Sequence, residues 1–270
     1  MSQSWIIASG KGGVGKSMVT AALGIALARR KLQCCCVDAD IGLRNVDMLL
    51  GMQNKVVYDV LDVARKDCKL KYALVKHPMY ETFSLLPAAQ LGGVGDMDAE
   101  DVQRIVHKLK KRVAYVLLDA PAGIERGVQN LVPASDHCLL VTTADDIAIR
   151  DAERVVALLE ASHKPRPMLV VNRVIPELVA TGDMYSPQQV ANTLDLPLLG
   201  YVPEDRAVIA AINRHESFME IACPARDAME RICQRFLGEY VPMPAFKQKR
   251  SFFRRVSSGG TGVAGSGMLG

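Results

Sequence analysis

The sequence predicts an α/β fold of three layers, a mostly parallel central sheet with helices packed on both faces. About seven short apolar runs alternate with segments of helical periodicity, the pattern of parallel strands buried on both sides. Several of these runs end on Asp, Asn or Pro, which gathers polar groups at the carboxyl edge of the sheet, where such folds bind ligands. The stretch from Ser9 to Ser17, Ser-Gly-Lys-Gly-Gly-Val-Gly-Lys-Ser, lies between an apolar run at Trp5–Ala8 and a helical pattern. That context makes it a phosphate-binding loop and the expected architecture a P-loop NTPase fold. With 270 residues and 49 % hydrophobic content, the chain is long enough for one substantial core.

The loop spacing Gly10-x-x-x-x-Gly15-Lys16-Ser17 assigns the first site residues. Backbone N–H groups of Gly10, Gly12, Gly13, Val14 and Gly15 cradle phosphates, Lys16 reaches the outer phosphates, and the Ser17 hydroxyl binds Mg²⁺. Met18 follows at the start of the helix and joins the nucleotide-binding set. Lys11 is a second cation that the general pattern does not require. A helix over Ser17–Arg30 ends in Arg29-Arg30-Lys31, cations that suit the negative end of its dipole. The strand Cys34–Val37 then delivers Asp38 and Asp40 to the ligand-binding edge.

Ile41–Asp47 leads into helices that reach about Leu74, and Phe83–Leu86 reads as the third strand. Leu91–Asp98 is a glycine-containing loop, followed by a surface helix over Ala99–Lys111 whose basic end reads as a solvated last turn. Val113–Leu118 is a buried strand ending at Asp119, the Walker B arrangement, in which the carboxylate holds Mg²⁺ directly or through water. Gly123 beyond it offers a backbone N–H to a γ-phosphate. A strand at His137–Val141 precedes a helix over Ile147–His163. The strands Met168–Val171 and Leu196–Val202 end at Asn172 and at Pro203-Glu204-Asp205, where a base can sit; the Asn172 amide offers adenine both a donor and an acceptor. Helices over Ser186–Leu194, Arg206–Arg214 and Ala222–Leu237 complete the body.

Seven cysteines, without metal spacing, read as reduced apolar residues. An iron–sulfur site on the triplet Cys34-Cys35-Cys36 is disfavoured, since neighbours on a strand face opposite ways. The start of the chain lacks the basic and apolar regions of a leader, and no run approaches a membrane span, so the body is expected to be cytoplasmic.

The net charge of +4 is concentrated at the C-terminus: Lys247, Lys249, Arg250, Arg254 and Arg255 supply five positive charges, leaving −1 for the remainder. The expected organisation is a P-loop ATPase domain over residues 1–241, a Pro-containing linker over 242–245, an amphipathic helix over 246–256, and a disordered Gly/Ser-rich tail over 257–270. On a helix, Phe246, Phe252, Phe253 and Val256 cover an arc of about 120°, with Lys249 intruding and able to snorkel. Arg250, Arg254 and Arg255 lie outside the arc. This is the pattern of a helix lying in an anionic lipid headgroup layer, with two copies on a dimer adding avidity.

Taken together, Ser9–Ser17, Asp38-Ala39-Asp40-Ile41-Gly42-Leu43-Arg44-Asn45, Val56–Asp59, Leu86-Pro87-Ala88, Asp119-Ala120-Pro121-Ala122-Gly123-Ile124-Glu125, Arg150-Asp151, Val202–Asp205 and the tail resemble the MinD/ParA family of ATPases with a deviant Walker A loop, in particular its septum-placing branch. The resemblance covers nearly the whole chain. It implies an ATP- and Mg²⁺-dependent homodimer that binds the inner membrane peripherally from the cytoplasmic face. It also implies recruitment of the division inhibitor MinC and release by MinE or an equivalent stimulator of slow hydrolysis.

In that comparison Lys11, Lys16 and Asp40 form the catalytic set: Lys11 reaches the partner's phosphates and Asp40 positions the attacking water. Ser17, Asp38 and Asp119 form the metal set: Ser17 and Asp119 hold Mg²⁺, and Asp38 belongs to the switch region near it. Arg150, Asp151 and Glu153 match a partner-binding surface. The chain departs from the family in having Ser17 where threonine is more usual, and in the fourteen residues that follow the amphipathic segment. A ParA-like DNA-partitioning ATPase is the competing reading; the slightly acidic body and the phenylalanines of the tail stand against it, making nucleic acid an unlikely partner. A nucleotide-regulated membrane scaffold with negligible hydrolysis is a third.

Overall fold

A computed structural model describes residues 2–244; the expected amphipathic segment, with Phe246, Lys249, Arg250, Phe252, Phe253, Arg254, Arg255 and Val256, lies outside the described residues. In chain order the first half contains β1 (Gln3–Ala8), α1 (Lys16–Arg29), β2 (Cys34–Asp38), α2 (Val46–Leu49), α3 (Val60–Ala64), α4 (Leu70–Ala73), β3 (Val75–Lys76), β4 (Phe83–Leu86), α5 (Ala99–Lys110) and β5 (Tyr115–Asp119). The second half contains α6 (Arg126–Leu131), β6 (His137–Thr143), α7 (Asp146–Ala161), β7 (Met168–Val174), α8 (Pro176–Thr181), α9 (Pro187–Leu194), β8 (Leu198–Pro203), α10 (Arg206–Asn213) and α11 (Pro224–Phe236).

The strands form one sheet in the order β3-β4-β2-β5-β1-β6-β7-β8. Every pairing is parallel except β3 with β4. The sheet therefore has eight strands rather than about seven. The addition is Val75–Lys76, a two-residue antiparallel edge held on Leu85 and Ser84, too short to show any periodicity. Helices α6 and α8 also have no counterpart in the sequence reading. Pro197 delays the last strand to Leu198, and Cys223 caps the final helix, which starts at Pro224.

Side chains alternate across each strand and feed two cores. Trp5, Ile7, Cys34, Cys36 and Leu117 pack with α1 and α11 on one face. Ile6, Ala8, Cys35, Val37, Val116 and Leu118 pack with α3, α5 and α7 on the other. The cysteine triplet is thus divided between the two cores, and burial pushes the Cys35 thiol up to about 12, which keeps it an inert apolar group. Arg30 Nη1 meets Glu230 Oε2 at 2.7 Å and fastens the end of α1 to α11. What the fold positions is the edge where β1, β2, β5, β6, β7 and β8 all end, because parallel strands deliver their C-terminal residues to the same side.

Candidate functional site

The loop between β1 and α1 is held open by two close approaches. Gly15 caps α1 in the left-handed region at φ 90°, and a Cβ there would also overlap the Asn172 amide. Gly10 lies against the backbone of α7 at Asp151 and Ala152, where no side chain fits. Glycine supplies both the dihedral and the room.

Behind the loop, Asp119 at the end of β5 is fully buried. Lys16 Nζ lies 2.9 Å from its Oδ1, the Ser17 hydroxyl donates to its Oδ2 at 2.6 Å, and Thr20 Oγ1 lies 2.8 Å from Oδ1. The structure therefore brings Lys16, Ser17 and Asp119 together, as the motifs predict. Removing one partner of a buried pair such as Lys16–Asp119 strands the other charge, a loss of about 3–5 kcal/mol. Thr20 was missed; it stands one helical turn after Lys16, and the 3.6-residue period was the signal that places both on one face of α1.

Asp38 ends β2 in register with Asp119. Its Oδ1 accepts the amide of Asp40 and its Oδ2 that of Val46, both at 3.1 Å. In this arrangement Asp38 anchors the stretch between β2 and α2. Asp40 borders the cleft over the phosphate loop and is half-buried; burial raises its carboxyl above the usual range despite the nearby Lys16. That suits a group that accepts hydrogen bonds from water.

Lys11 is not aimed at the phosphate-loop interior. Its Nζ pairs with Asp145 Oδ1 at 3.1 Å, across 134 residues of sequence, with both side chains partly exposed. Asp145 also caps α7 through Ala148 and accepts from Thr143. Burial alone would raise its carboxyl, but these three donors outweigh it and hold Asp145 below the usual carboxylate range. Nothing local in the sequence marked Asp145 as the partner of Lys11. Arg150 and Glu153 are exposed on the first turns of α7, and Asp151, half-buried there, pairs with Arg154 at 3.4 Å.

A cavity of about 350 Å³ lies over the loop, bordered by Lys16, Ser17, Asp40, Leu43, Asn45 and Met48. A second, of about 190 Å³, adjoins it between Gly15, Met18, Pro203, Val208, Ile209 and Ile212. Its mostly apolar walls, next to the phosphate loop at Gly15, suit a base,. Asn172, Glu204 and Asp205 border it but differ from expectation in what their polar atoms do. Asn172 Nδ2 donates to the Val14 carbonyl at 2.8 Å, which braces the loop. Glu204 pairs with Arg173 at 2.9 Å. Both Asp205 oxygens accept helix N-terminal amides, from Ala207 of α10 and Ala225 of α11. Gly123 N–H donates to the Ser9 carbonyl at 2.9 Å, so it too supports the loop.

The donor set fits a nucleotide with its cation. Ser17 and Asp119 converge hard oxygen donors of the type that Mg²⁺ prefers, and Lys16 and the loop amides face the same space.

Residues 5–218 match the family described as the CobQ/CobB/MinD/ParA nucleotide binding domain. The septum site-determining protein MinD of Helicobacter pylori is 42 % identical over 254 residues, covering 92 % of this chain and 95 % of the relative. MinD of Bacillus subtilis is 40 % identical over 262 residues, covering 96 % and 98 %. Among solved structures, a chain of the MinC:MinD cell division protein complex of Aquifex aeolicus superposes with a TM-score of 0.84 at 36 % identity, covering 91 % of this chain and 99 % of that one.

Proposed function

The chain belongs to the CobQ/CobB/MinD/ParA nucleotide-binding family, and from that premise we propose that it is an Mg²⁺-dependent ATPase acting as a dimerisation and membrane-binding switch in placement of the division septum. Its ATP-bound homodimer recruits MinC, and a MinE-type stimulator releases it. The organisation proposed is an ATPase domain over 1–241, a linker over 242–245, a membrane-targeting segment over 246–256 and a Gly/Ser-rich tail over 257–270. Localisation follows as cytoplasmic and peripheral on the inner membrane. Among the described residues no helix is long and apolar enough to cross a membrane.

The observation that carries this reading is the placement of the two loop lysines. Lys16 is buried on Asp119, whereas Lys11 points outward to Asp145 at the rim. One lysine serves this chain's own phosphates; the other is available to a second subunit. When bound, Mg²⁺ would neutralise charge on the outer phosphates, held by Ser17 and Asp119. Lys16 orients those phosphates, Asp40 orients the water, and the apolar walls around Met18 and Ile212 hold the base and exclude solvent. Phosphoryl transfer of this kind relies on positioning and charge stabilisation, so a site short of one cation turns over slowly until a partner supplies it.

The test is Lys11→Ala. Stimulated turnover falls by about a thousandfold or more, the scale on which a cation supplied in trans acts, while titration with a fluorescent ATP analogue still shows monomeric nucleotide binding. Stimulated turnover equal to that of the unaltered chain would remove Lys11 from this role.

A further inference from the structure

Beyond the nucleotide site, the end of the described chain is fastened in a way that neither the motifs nor the family comparison assigns. α11 stops in a Schellman turn: Gly238, at φ 86°, donates to the Arg235 carbonyl at 2.9 Å, and Glu239 donates to the Gln234 carbonyl at 3.0 Å,. The chain is thereby turned back along its own helix. Arg235 then uses every face of its guanidinium. Nε donates to the Val241 carbonyl at 2.8 Å, Nη2 to the Pro242 carbonyl at 2.9 Å, and Nη1 to the Leu199 carbonyl of edge strand β8 at 3.1 Å. Tyr201, two residues along the same strand, donates its hydroxyl to the Pro244 carbonyl at 3.4 Å. Gly200 lies between them, and a Cβ there would meet both Ile232 and the Arg235 guanidinium. Pro242 and Pro244 restrict the strap further, since each fixes its own φ and favours extension in the residue before it.

We propose that Arg235 is a positioning residue that pins Val241–Pro244 to β8 and so fixes the point from which the C-terminal basic segment leaves the body. The inference rests on the membrane reading above. Its physical content is effective concentration. When two chains pair, the second basic segment binds lipid at a local concentration set by the length and stiffness of its tether. With the strap pinned, the tether beyond Pro244 is short. With Arg235 removed, the strap keeps the long Tyr201 contact at Pro244; where that opens, Val241–Pro244 joins the tether and adds about 13 Å of reach to each chain, at about 3.3 Å per residue. The second binding step is diluted accordingly, while a single segment meeting a membrane alone is unaffected. Lysine cannot substitute, because a single ammonium lacks the planar fork that spans three carbonyls.

The experiment is sedimentation of the full chain with vesicles of phosphatidylglycerol and phosphatidylethanolamine, in ATP and in ADP. Arg235→Gln lowers affinity in ATP about three- to tenfold and leaves affinity in ADP unchanged, with Arg235→Lys close to Gln. A flexible Gly/Ser insert of six residues between Pro244 and Ala245, with Arg235 intact, gives the same selective loss. Chymotrypsin supplies a readout without lipid: cleavage after Tyr240, which is 95 % exposed, accelerates in Arg235→Gln. An ATP-to-ADP affinity ratio unchanged by the insert, or by a folded Arg235→Gln chain, overturns the proposal, and so does an unchanged cleavage rate. A wild-type chain that ignores the vesicles in ATP overturns the membrane reading instead.

Discussion

Asp38 and Asp119 end neighbouring strands in register, both fully buried. Desolvation, and after it the charge of Asp119, push the Asp38 carboxyl up to about 7,. The folded chain thus binds that proton more tightly than the unfolded chain does. Asp38's contribution to stability is complete below the usual carboxylate range and is lost as pH climbs towards about 7. Thermal melts of the nucleotide-free, Mg²⁺-free protein should show a falling midpoint from about pH 4 to pH 7. In Asp38→Asn the fall should flatten around a lower baseline, since the amide nitrogen cannot accept from Asp40 or Val46. An undiminished slope in that variant would assign the titration elsewhere. Lys16, Ser17 and Asp119 were legible because their spacing and strand context encode the geometry directly. Asp145 and Arg173 were not: each occupies a polar role created by the packing of distant segments, and no local spacing records it.

At Gly10 the loop meets the backbone of α7, and Lys11 adds a side-chain pair at the cap of the same helix, which gives the elements a direct coupling. Gly10 abuts α7 at Asp151 and Ala152, and the same helix is capped by Asp145, the residue that holds Lys11, and carries Arg150 and Glu153 on its exposed side. A change at the loop therefore presses on the helix proposed to meet partners. Gly10→Ala has no flexible neighbour to push aside, so either the loop or α7 must shift. Overpacking of this kind costs about 1–3 kcal/mol, a fall of roughly 2–12 °C in melting midpoint for a domain of this size. Calorimetry measures the fall, and a midpoint within a degree of the wild type would show that the two elements yield freely. Long elements with strong periodicity, such as α5 and α7, were read within a residue or two of their ends. Those that tertiary contact alone defines were not: β3 exists only because β4 offers it an edge, and α6 is a short helix between β5 and β6 whose Val128 and Leu131 are buried in the core.

At the scale of the whole molecule, charge and topology are separated. The sheet order places all the parallel strand ends on one side, where the nucleotide cleft lies, while the five net positive charges of the C-terminus follow a strap fastened to the edge strand β8. The layered architecture was legible because strands buried on both faces leave an unmistakable apolar signature; the strap was not, because three backbone carbonyls carry no sequence pattern. Removing the basic segment tests the proposed membrane switch against a DNA-partitioning ATPase. Truncation after Pro244 keeps the strap and the cleft but removes the basic segment, whose cations are each worth about 1 kcal/mol at an anionic surface. ATP-dependent sedimentation with anionic vesicles should therefore fall by at least about a hundredfold, with nucleotide binding retained. DNA mobility shifts should be weak in both chains at physiological salt, as the body carries no net positive charge with which to release counterions. Salt-sensitive DNA binding by the full chain, with no lipid binding, would instead identify the basic segment as a nucleic-acid arm and the molecule as a partitioning ATPase.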